Sequence, residues 1–444
     1  MTTPIVDFVK KYIETGTIRA HMPGHKGTPM LGFEPLDLTE IGGADDLFDA
    51  DGIIRESEMN AGRLFGARTF YSTEGSSLCV RAMLYLAALY SRELGRKPVI
   101  AAGRNAHKSF LTGAALLEIY IIWIYPHEQE SYLSCTPTAE EVERLFHGSD
   151  APTAVYLTSP DYLGSRVAEL REIAEVCHKH GALLLVDNAH GAYLKFLPES
   201  QHPMDLGADM CCDSAHKTLP VITGGAYLHI SHNAPVCLKE NARYALGMFG
   251  SSSPSYLILQ SLDLANRYLE SYPERLAEFI EKVDGLKRRL MKHGYSLSGD
   301  EPLKVTICAK KYGYTGSELH DKIRRQNIEA EFADPDFLVL MLTPENGGET
   351  IGILERAFLN IPKKPEITVK PPFFTPPTRK LSIREACFAP WETVGTDCAV
   401  GRTLAGINIA CPPAVPVVVS GEVIDDAAAE CLRYYGVEKV RCAK

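Results

Sequence analysis

The stretch Ala182-Leu183-Leu184-Leu185-Val186-Asp187 is an apolar run that ends in a carboxylate, and it closes a predicted βαβ unit. The unit begins with a second apolar run at residues 154–157. The helix predicted between the two runs has one apolar face, formed by Leu170, Ile173, Ala174 and Cys177. Gly181 stands where a left-handed C-terminal cap is expected. Because a βαβ connection makes its two strands parallel, this stretch predicts an α/β fold.

Further apolar runs extend the predicted sheet beyond this unit. They lie at residues 99–102, 119–125, 210–212 and 226–230. We therefore expect a mostly parallel sheet that helices cover on both faces. Ligands of such sheets lie beyond the carboxyl ends of the strands, and Asp187, His107 and Ser214 all follow strand-like runs.

The pattern of the chain changes after a predicted long helix at residues 274–293. Two strand-like runs and a helix then predict a smaller α+β domain at residues 294–444; they lie at 303–307, 337–341 and near 319–325. This domain contains a proline-rich linker at residues 362–377. Its tail holds Pro412-Pro413 and the valine-rich run 415–419, which suggest edge strands and tight connections.

The composition favours a small molecule as the partner of this chain. Its 444 residues are 45% hydrophobic and 23% charged, and the formal net charge is -10 with a pI near 5.8. Nucleic acid or an anionic membrane would require a basic face, so neither is expected. The start has no signal-peptide pattern, and we expect a cytoplasmic protein. Twelve cysteines without a Cys-x-x-Cys pair indicate reduced thiols.

Lys217 and Asp187 together suggest a pyridoxal phosphate site. An aldehyde cofactor needs a lysine amine for its resting Schiff base, and a carboxylate keeps its pyridine nitrogen protonated. Two adjacent strands of the predicted sheet would supply both groups. Each residue also has an ordinary alternative, because a lysine in such a segment is usually solvated and an aspartate at a strand end usually caps a turn.

A phosphate group has a candidate site at Gly75-Ser76-Ser77, which precedes a predicted helix at residues 78–93. The first N–H groups of a helix lack acceptors and its dipole is positive there, so this end favours an anion. A plain serine N-cap is the alternative. His107 is a candidate for stacking on an aromatic cofactor ring, with a surface loop as the alternative.

Two pairs of histidines have the short spacing of metal ligands. His178 and His180 fall in the last turn of a helix, where cationic side chains favour the dipole. His21 and His25 lie in a turn-rich segment without a third ligand at a convincing spacing. We therefore expect no metal at either pair.

Seven segments taken together resemble the ornithine/lysine/arginine decarboxylase family of fold-type I pyridoxal phosphate enzymes, in its short bacterial form without the N-terminal wing domain. The resemblance runs nearly end to end. It implies an aspartate-aminotransferase-like large domain at 61–293, preceded by an arm at 1–60 that contributes to the active site and the dimer. The segments are His21–Gly27, Leu36–Glu40, Gly52–Glu56, Arg104–Ser109, Asp187–Ala192, Ser214–Pro220 and Ser252–Tyr256.

The resemblance also implies a role for each candidate site residue. Lys217 would bond covalently to the cofactor, Asp187 would contact the pyridine nitrogen, and His107 would stack on one face of the ring with Ala189 on the other. The phosphate would be held by the turn at Gly75, Ser76 and Ser77, with Ser214 and His216. The active site would lie at a dimer interface, so that Ser251 or Ser252 reaches the phosphate of the neighbouring subunit in a homodimer or a higher even homo-oligomer.

The implied reaction is decarboxylation of a basic amino acid, arginine or lysine before ornithine, which feeds polyamine metabolism. Lys217 or His216 would return a proton to Cα. Transamination and lyase chemistry on the same fold are the first alternative, and a non-catalytic binding or regulatory protein is the second. Five carboxylates are candidates for the cation of the substrate, although solvation is their usual role: Asp37, Glu40, Asp45, Asp46 and Glu392.

Two residues depart from the pattern of the family. Glu74 stands before the glycine of the phosphate turn where asparagine is more frequent, and its carboxylate would disfavour a phosphate unless it turned away. Asn188 stands where an acidic residue is frequent. Neither change removes the residues that would hold the cofactor.

Overall fold

The structure is a computed structural model that describes residues 1–127, 131–372, 376–407 and 414–444. The chain divides into two compact units. The first comprises Met1–Pro98, Glu143–Leu157 and Leu170–Glu274, and the second comprises Val99–Val142, Thr158–Glu169 and Arg275–Lys444. The domain boundaries expected at residues 60 and 293 stay predictions.

The strands of the described residues are short, and most have five residues. They are β1 (Arg68–Ser72), β2 (Val99–Gly103), β3 (Tyr120–Ile124), β4 (Ala154–Thr158), β5 (Leu183–Asp187), β6 (Met210–Asp213), β7 (Ala226–Ile230), β8 (Leu297–Ser298), β9 (Lys304–Cys308), β10 (Phe332–Ala333), β11 (Phe337–Met341), β12 (Trp391–Gly395) and β13 (Lys439–Ala443).

The α-helices range from four to 22 residues. They are α1 (Pro4–Glu14), α2 (Ile53–Phe65), α3 (Gly75–Glu93), α4 (Lys108–Leu117), α5 (Ala139–Leu145), α6 (Leu170–Lys179), α7 (Ala215–Thr218), α8 (Val236–Gly247), α9 (Tyr256–Leu269), α10 (Tyr272–His293), α11 (Gly316–Arg324), α12 (Gly347–Leu359), α13 (Ile383–Phe388) and α14 (Asp426–Tyr434). None of the helices in the described part of the chain has the length and apolar character needed to cross a membrane.

Seven strands form the main sheet in the order β1-β7-β6-β5-β4-β2-β3, and the sheet is mostly parallel, as predicted. β5 pairs with β6 in parallel, whereas β7 runs antiparallel to both β6 and β1. All five residues of β5 are buried. Such full burial is typical of a parallel strand with both faces covered.

The predicted βαβ unit is present as β4, α6 and β5. The four residues predicted to form the apolar face of α6 are its buried residues: Leu170, Ile173, Ala174 and Cys177. Gly181 has a φ of +64°, the left-handed conformation expected after the helix. The unit brings the carboxyl end of β5, and therefore Asp187, to one edge of the sheet.

The second unit contains smaller antiparallel sheets. Four strands pair in the order β10-β11-β9-β8, and β12 pairs with β13. The α+β character expected of the C-terminal region is therefore confirmed.

The valine-rich run 415–419 was expected to be an edge strand, and this expectation is wrong. The run is buried but belongs to no strand. The guanidinium of Arg104 donates hydrogen bonds to the carbonyl oxygens of Pro416 (3.0 Å) and Val417 (3.1 Å), and a proline has no N–H for a ladder. Pro412-Pro413 and part of the proline-rich stretch, residues 373–375, lie outside the described residues.

Candidate active site

The parallel pair β5 and β6 carries the central candidate residues at its carboxyl end. Asp187 is the last residue of β5 and lies opposite Cys212 of β6. Beyond β6, the short helix α7 carries Lys217, and its Nζ lies 2.8 Å from Nε2 of His190. Since His190 belongs to the loop that follows Asp187, the structure brings the lysine amine to the loop of the carboxylate.

The carboxylate of Asp187 is buried and held by hydrogen bonds. It accepts them from the hydroxyl of Tyr156 (2.9 Å), the N–H of Ala189 (3.2 Å) and the thiol of Cys212 (3.6 Å). Burial raises the pKa of Tyr156 well above its usual value, so the phenol keeps its proton and remains a donor. These three donors fix the position of the carboxylate of Asp187.

A tight turn joins β1 to α3, and Gly75 occupies it with a φ of +70°. The helix begins at Gly75 and its N-cap residue is Glu74, whose side chain makes no capping hydrogen bond, so the simple alternative of a serine N-cap is wrong. The hydroxyl of Ser214 donates to the hydroxyl of Ser76 at 2.8 Å. The structure therefore brings two of the phosphate candidates together at a helix N-terminus, with Ser77 half-buried in the first turn.

Glu74, the unusual residue of this turn, points to another part of the chain. Its Oε1 accepts a hydrogen bond from the N–H of Ser251 at 2.6 Å. The carboxylate is thus turned toward the loop of exposed serines at residues 251–253. The carboxylate of Glu74 is therefore turned away from the phosphate turn, as a glutamate at this position requires.

His216 lies on α7 next to Lys217. Its ring Nδ1 donates to the carbonyl oxygen of Gly225 at 3.0 Å, and the backbone N–H of His216 donates to the same oxygen at 3.2 Å. This pair of bonds fixes both the ring and the backbone that leads to Lys217.

His107 belongs to the second unit, where it is the N-cap residue of α4. Its Nδ1 accepts a hydrogen bond from the N–H of Ser109 at 3.1 Å, which fixes the ring. The neighbouring N–H of Lys108 donates to the carbonyl oxygen of Ala414 at 2.9 Å. The stacking of His107 on a cofactor ring stays a prediction.

The histidines and carboxylates that we considered as ligands have partners within the protein. His178 pairs with Asp209 and His180 with Glu143, whereas His21 contacts Tyr12 and His25 contacts Asp37. Asp45 accepts hydrogen bonds from the N–H groups of Gly52 and Ile54 at the start of α2, and Glu392 pairs with Arg402. The structure therefore gives Asp37, Asp45 and Glu392 partners other than a substrate.

Two residues close to Asp187 and Lys217 were missed as site residues. His190 contacts the amine of Lys217, and Tyr156 donates to Asp187. His190 follows Asp187 by three positions, so its place at a strand end was a usable signal. Tyr156 lies within the apolar run of β4, where nothing in the sequence distinguishes it from a core residue.

The donor set at this edge of the sheet fits pyridoxal phosphate. A lysine amine can bond to the aldehyde, a buried carboxylate can contact the pyridine nitrogen, and hydroxyl groups at a helix N-terminus can hold the phosphate. These groups are Lys217, Asp187, Ser76 and Ser214.

Comparisons with known proteins identify a family and several relatives of this chain. The family described as Orn/Lys/Arg decarboxylase, major domain, matches residues 3–299. The chain is 31% identical to the protein YaaO of Bacillus subtilis (strain 168), over 95% of this chain and 92% of that one. It is 28% identical to a protein of Halalkalibacterium halodurans named arginine decarboxylase, and the match covers 96% of this chain and 91% of that one.

A solved structure has the same fold. The lysine decarboxylase LdcF of Francisella novicida superposes with a TM-score of 0.79 at 16% identity, and the match covers 100% of this chain and 81% of that chain. Fold-type I enzymes of this kind use pyridoxal 5′-phosphate. The family match over most of the chain leads to one conclusion: this chain belongs to the Orn/Lys/Arg decarboxylase family of pyridoxal-phosphate-dependent amino acid decarboxylases.

Proposed function

We propose that the protein decarboxylates arginine, with lysine as the second substrate and ornithine behind them, and that the amine product feeds polyamine metabolism. The observation that carries the proposal is the contact between Lys217 Nζ and His190 in the loop of Asp187. The relative named arginine decarboxylase supports arginine as the first choice.

The bound cofactor would supply the electron sink for the bond that breaks as carbon dioxide leaves. Asp187, held in position by its donors, would contact the pyridine nitrogen and keep it protonated. The hydroxyls of Ser76, Ser77 and Ser214 would hold the phosphate, and Ala189 would lie against the ring.

A proton must return to Cα after carbon dioxide leaves, and the amine of Lys217 is the proposed donor. His190 lies 2.8 Å from this amine and can share its proton, whereas Nδ1 of His216 is engaged with Gly225. A positioned acid of this kind typically contributes a factor of about 10² to 10⁴ in rate. We therefore assign His216 to holding the lysine segment and the phosphate.

A product assay tests the reaction. The holoenzyme is given arginine, lysine or ornithine, and carbon dioxide and amine are measured together. We expect equal amounts of both products and the highest kcat/KM with arginine. A keto acid with the cofactor left in its amine form would instead support transamination and contradict the proposal.

We also propose that the working form is a homodimer, or a higher even homo-oligomer, with shared active sites in the cytoplasm. Large apolar side chains of the N-terminal arm are exposed in the single chain, which supports an interface there: Ile18 (90%), Met30 (83%) and Leu31 (78%). Ser251 or Ser252 would then reach the phosphate of the neighbouring subunit. Light scattering of the holoenzyme tests this, and an active monomer would contradict it.

The ring-stacking role of His107 is part of the same proposal. The loop that leads to it is held by a buried ion pair in which Arg104 donates to Glu422 at 2.9 Å. Breaking a buried ion pair leaves an uncompensated charge and is strongly destabilising. The C-terminal segment therefore supports the position of His107 on its loop.

A further inference from the structure

Three side chains converge on one buried carboxylate that the reaction does not use, that of Asp213. Its Oδ1 accepts a hydrogen bond from Nδ2 of Asn188 at 2.6 Å, and its Oδ2 accepts from Nε2 of His202 (3.0 Å) and of His229 (3.2 Å). All four residues are fully buried. A charged group so far from water persists only when its partners compensate for the lost hydration.

The partners hold Asp213 as an anion. Burial alone would raise the pKa of Asp213, but His202 and His229 outweigh it, and the pKa lies well below its usual value. Burial lowers the pKa of His229, whose Nδ1 lies 2.8 Å from the hydroxyl of Thr69. The cluster therefore surrounds one negatively charged carboxylate, that of Asp213, and both of its oxygens accept hydrogen bonds.

The carboxylate of Asp213 lies between the two segments that would bind the cofactor, the loop after Asp187 and the segment from Ser214 to Lys217. Asp213 is the last residue of β6 and precedes Ser214, and Asn188 directly follows Asp187. The bond from Asn188 to Asp213 therefore joins the strand end that carries the carboxylate to the strand end that leads to Lys217.

We propose that Asp213 is a positioning residue for the cofactor: through Asn188 it fixes the spacing between the Asp187 loop and the segment from Ser214 to Lys217. The inference rests on the proposed roles of Lys217 and Asp187. It also explains why Asn188 replaces the acidic residue that is frequent at its position, because an acid there would face Asp213 across 2.6 Å. Two buried carboxylates this close cannot both ionise.

His202, Cys211 and Asp213 could also be considered as metal ligands, since their ligand atoms lie within 4.8 Å of one another. Both oxygens of Asp213 already accept hydrogen bonds, and burial raises the pKa of the Cys211 thiol well above its usual value. A cysteine binds zinc as the thiolate, and the buried Cys211 keeps its proton. The positioning role is therefore the better explanation of this cluster.

A charge exchange tests the proposal. Asn188→Asp places a second carboxylate against that of Asp213. Adding Asp213→Asn removes this pair of carboxylates. In the double variant the side-chain amide at position 213 can donate to the carboxylate at position 188, while the side-chain oxygen at position 213 accepts from the two histidines. We expect Asn188→Asp to raise the Kd for pyridoxal phosphate by about 10-fold or more, and the double variant to return within about 3-fold of the original value. Asp213→Asn alone should raise it less, since the side-chain oxygen of Asn188, which accepts no bond from the described residues, can turn toward the new amide.

A matched control exists at the other end of the same two strands. Asp209 precedes β6 and accepts hydrogen bonds from the N–H of Leu184 in β5 (2.8 Å) and from His178 (3.1 Å). Asp209→Asn therefore weakens the same strand pair away from the site. We expect it to lower the Tm of the cofactor-free chain while the Kd changes by less than about 2-fold.

The Kd is measured by titrating cofactor-free protein with pyridoxal phosphate, and the Tm is measured on the same samples. Equal changes of Kd in the Asp209 and Asn188 variants, or no rescue in the double variant, would overturn the proposal. So would a stoichiometric metal in the holoenzyme that Asp213→Asn removes. If Asn188→Asp gives no folded protein, Asn188→Ala tests the proposal instead. This variant keeps the hydrogen bonds from His202 and His229 to Asp213 but loses the one from Asn188, so it should still raise the Kd for pyridoxal phosphate.

The roles of Lys217 and Asp187 can fail independently of this proposal. A cofactor that is attached to a lysine other than Lys217 would show that the site is misassigned. A normal attachment with unchanged Kd values across the variants would reject only the role of Asp213.

Discussion

At the scale of single residues, the hydroxyl of Tyr156 makes a specific contribution to the site through its bond to Asp187. Tyr156→Phe keeps the ring and removes this donor. A hydrogen bond to a charged group contributes about 1.5–3 kcal/mol, so we expect kcat/KM to fall by about 10-fold or more.

Tyr227→Phe is the matched control for this variant. Tyr227 is another fully buried tyrosine of the same sheet, and its hydroxyl has no hydrogen-bond partner in the described residues. Its removal should leave kcat/KM unchanged. Equal losses in the two variants would show that the hydroxyl of Tyr156 has no special role.

His190 permits a second prediction at this scale. His190→Ala removes the group 2.8 Å from the amine of Lys217. If the imidazole shares the proton that returns to Cα, kcat should fall by about 10²-fold while the cofactor stays attached to the protein. Stopped-flow and steady-state rates measure this effect, and an unchanged kcat would remove His190 from the proton path.

At the scale of elements, the carboxylate of Asp45 binds backbone N–H groups at the N-terminus of α2. Its oxygens accept hydrogen bonds from four backbone N–H groups around the start of the helix, those of Asp51, Gly52, Ile54 and Arg55. Asp45→Ala should cost about 1–2 kcal/mol of unfolding free energy, because a cap is lost and alanine disfavours the φ of +72° at this position.

Asp45→Asn should cost less, since asparagine keeps one acceptor oxygen and tolerates this conformation. Denaturant unfolding measures both variants. Because Asp45 was also a candidate for binding the substrate cation, KM is measured as well. A rise in KM without a loss of stability would contradict the capping role.

The elements also show which parts of the structure the sequence could predict. The central unit of β4, α6 and β5 was predictable because the periods of its apolar residues differ between strand and helix. The valine-rich run 415–419 has the local pattern of a strand, but its partner is Arg104, more than 300 residues away in the chain. Likewise, the approach of the segments that carry Lys217 and Asp187 was predictable from strand ends, whereas the convergence of His202 and His229 on Asp213 depends on tertiary packing.

At the scale of the whole molecule, buried carboxyl groups predict how stability depends on pH. Burial raises the pKa of Glu58 to about 7 and that of three aspartates to about 6; the aspartates are Asp161, Asp263 and Asp334. In the unfolded chain these groups titrate near 4. The folded chain therefore holds protons that the unfolded chain releases, and stability should fall as pH rises from about 4 to about 7.

The lowered pKa of His229 acts in the opposite direction, as do the lowered pKa values of carboxyl groups such as Asp205 and Asp213, which act mainly below about pH 4. The Tm of the cofactor-free protein, measured across this range, tests the expectation. Glu58→Gln should make the decline less steep at its upper end, near pH 7. A Tm that rises steadily toward neutral pH would contradict it.

The attachment point of the cofactor is the most direct test of the proposed active site. The holoenzyme is reduced with borohydride, which fixes a lysine-bound cofactor, and its peptides are analysed by mass spectrometry. We expect the phosphopyridoxyl group on the peptide that contains Lys217, and its loss together with carbon dioxide release in Lys217→Ala. Attachment to another lysine, or full turnover by Lys217→Ala, would contradict the assignment.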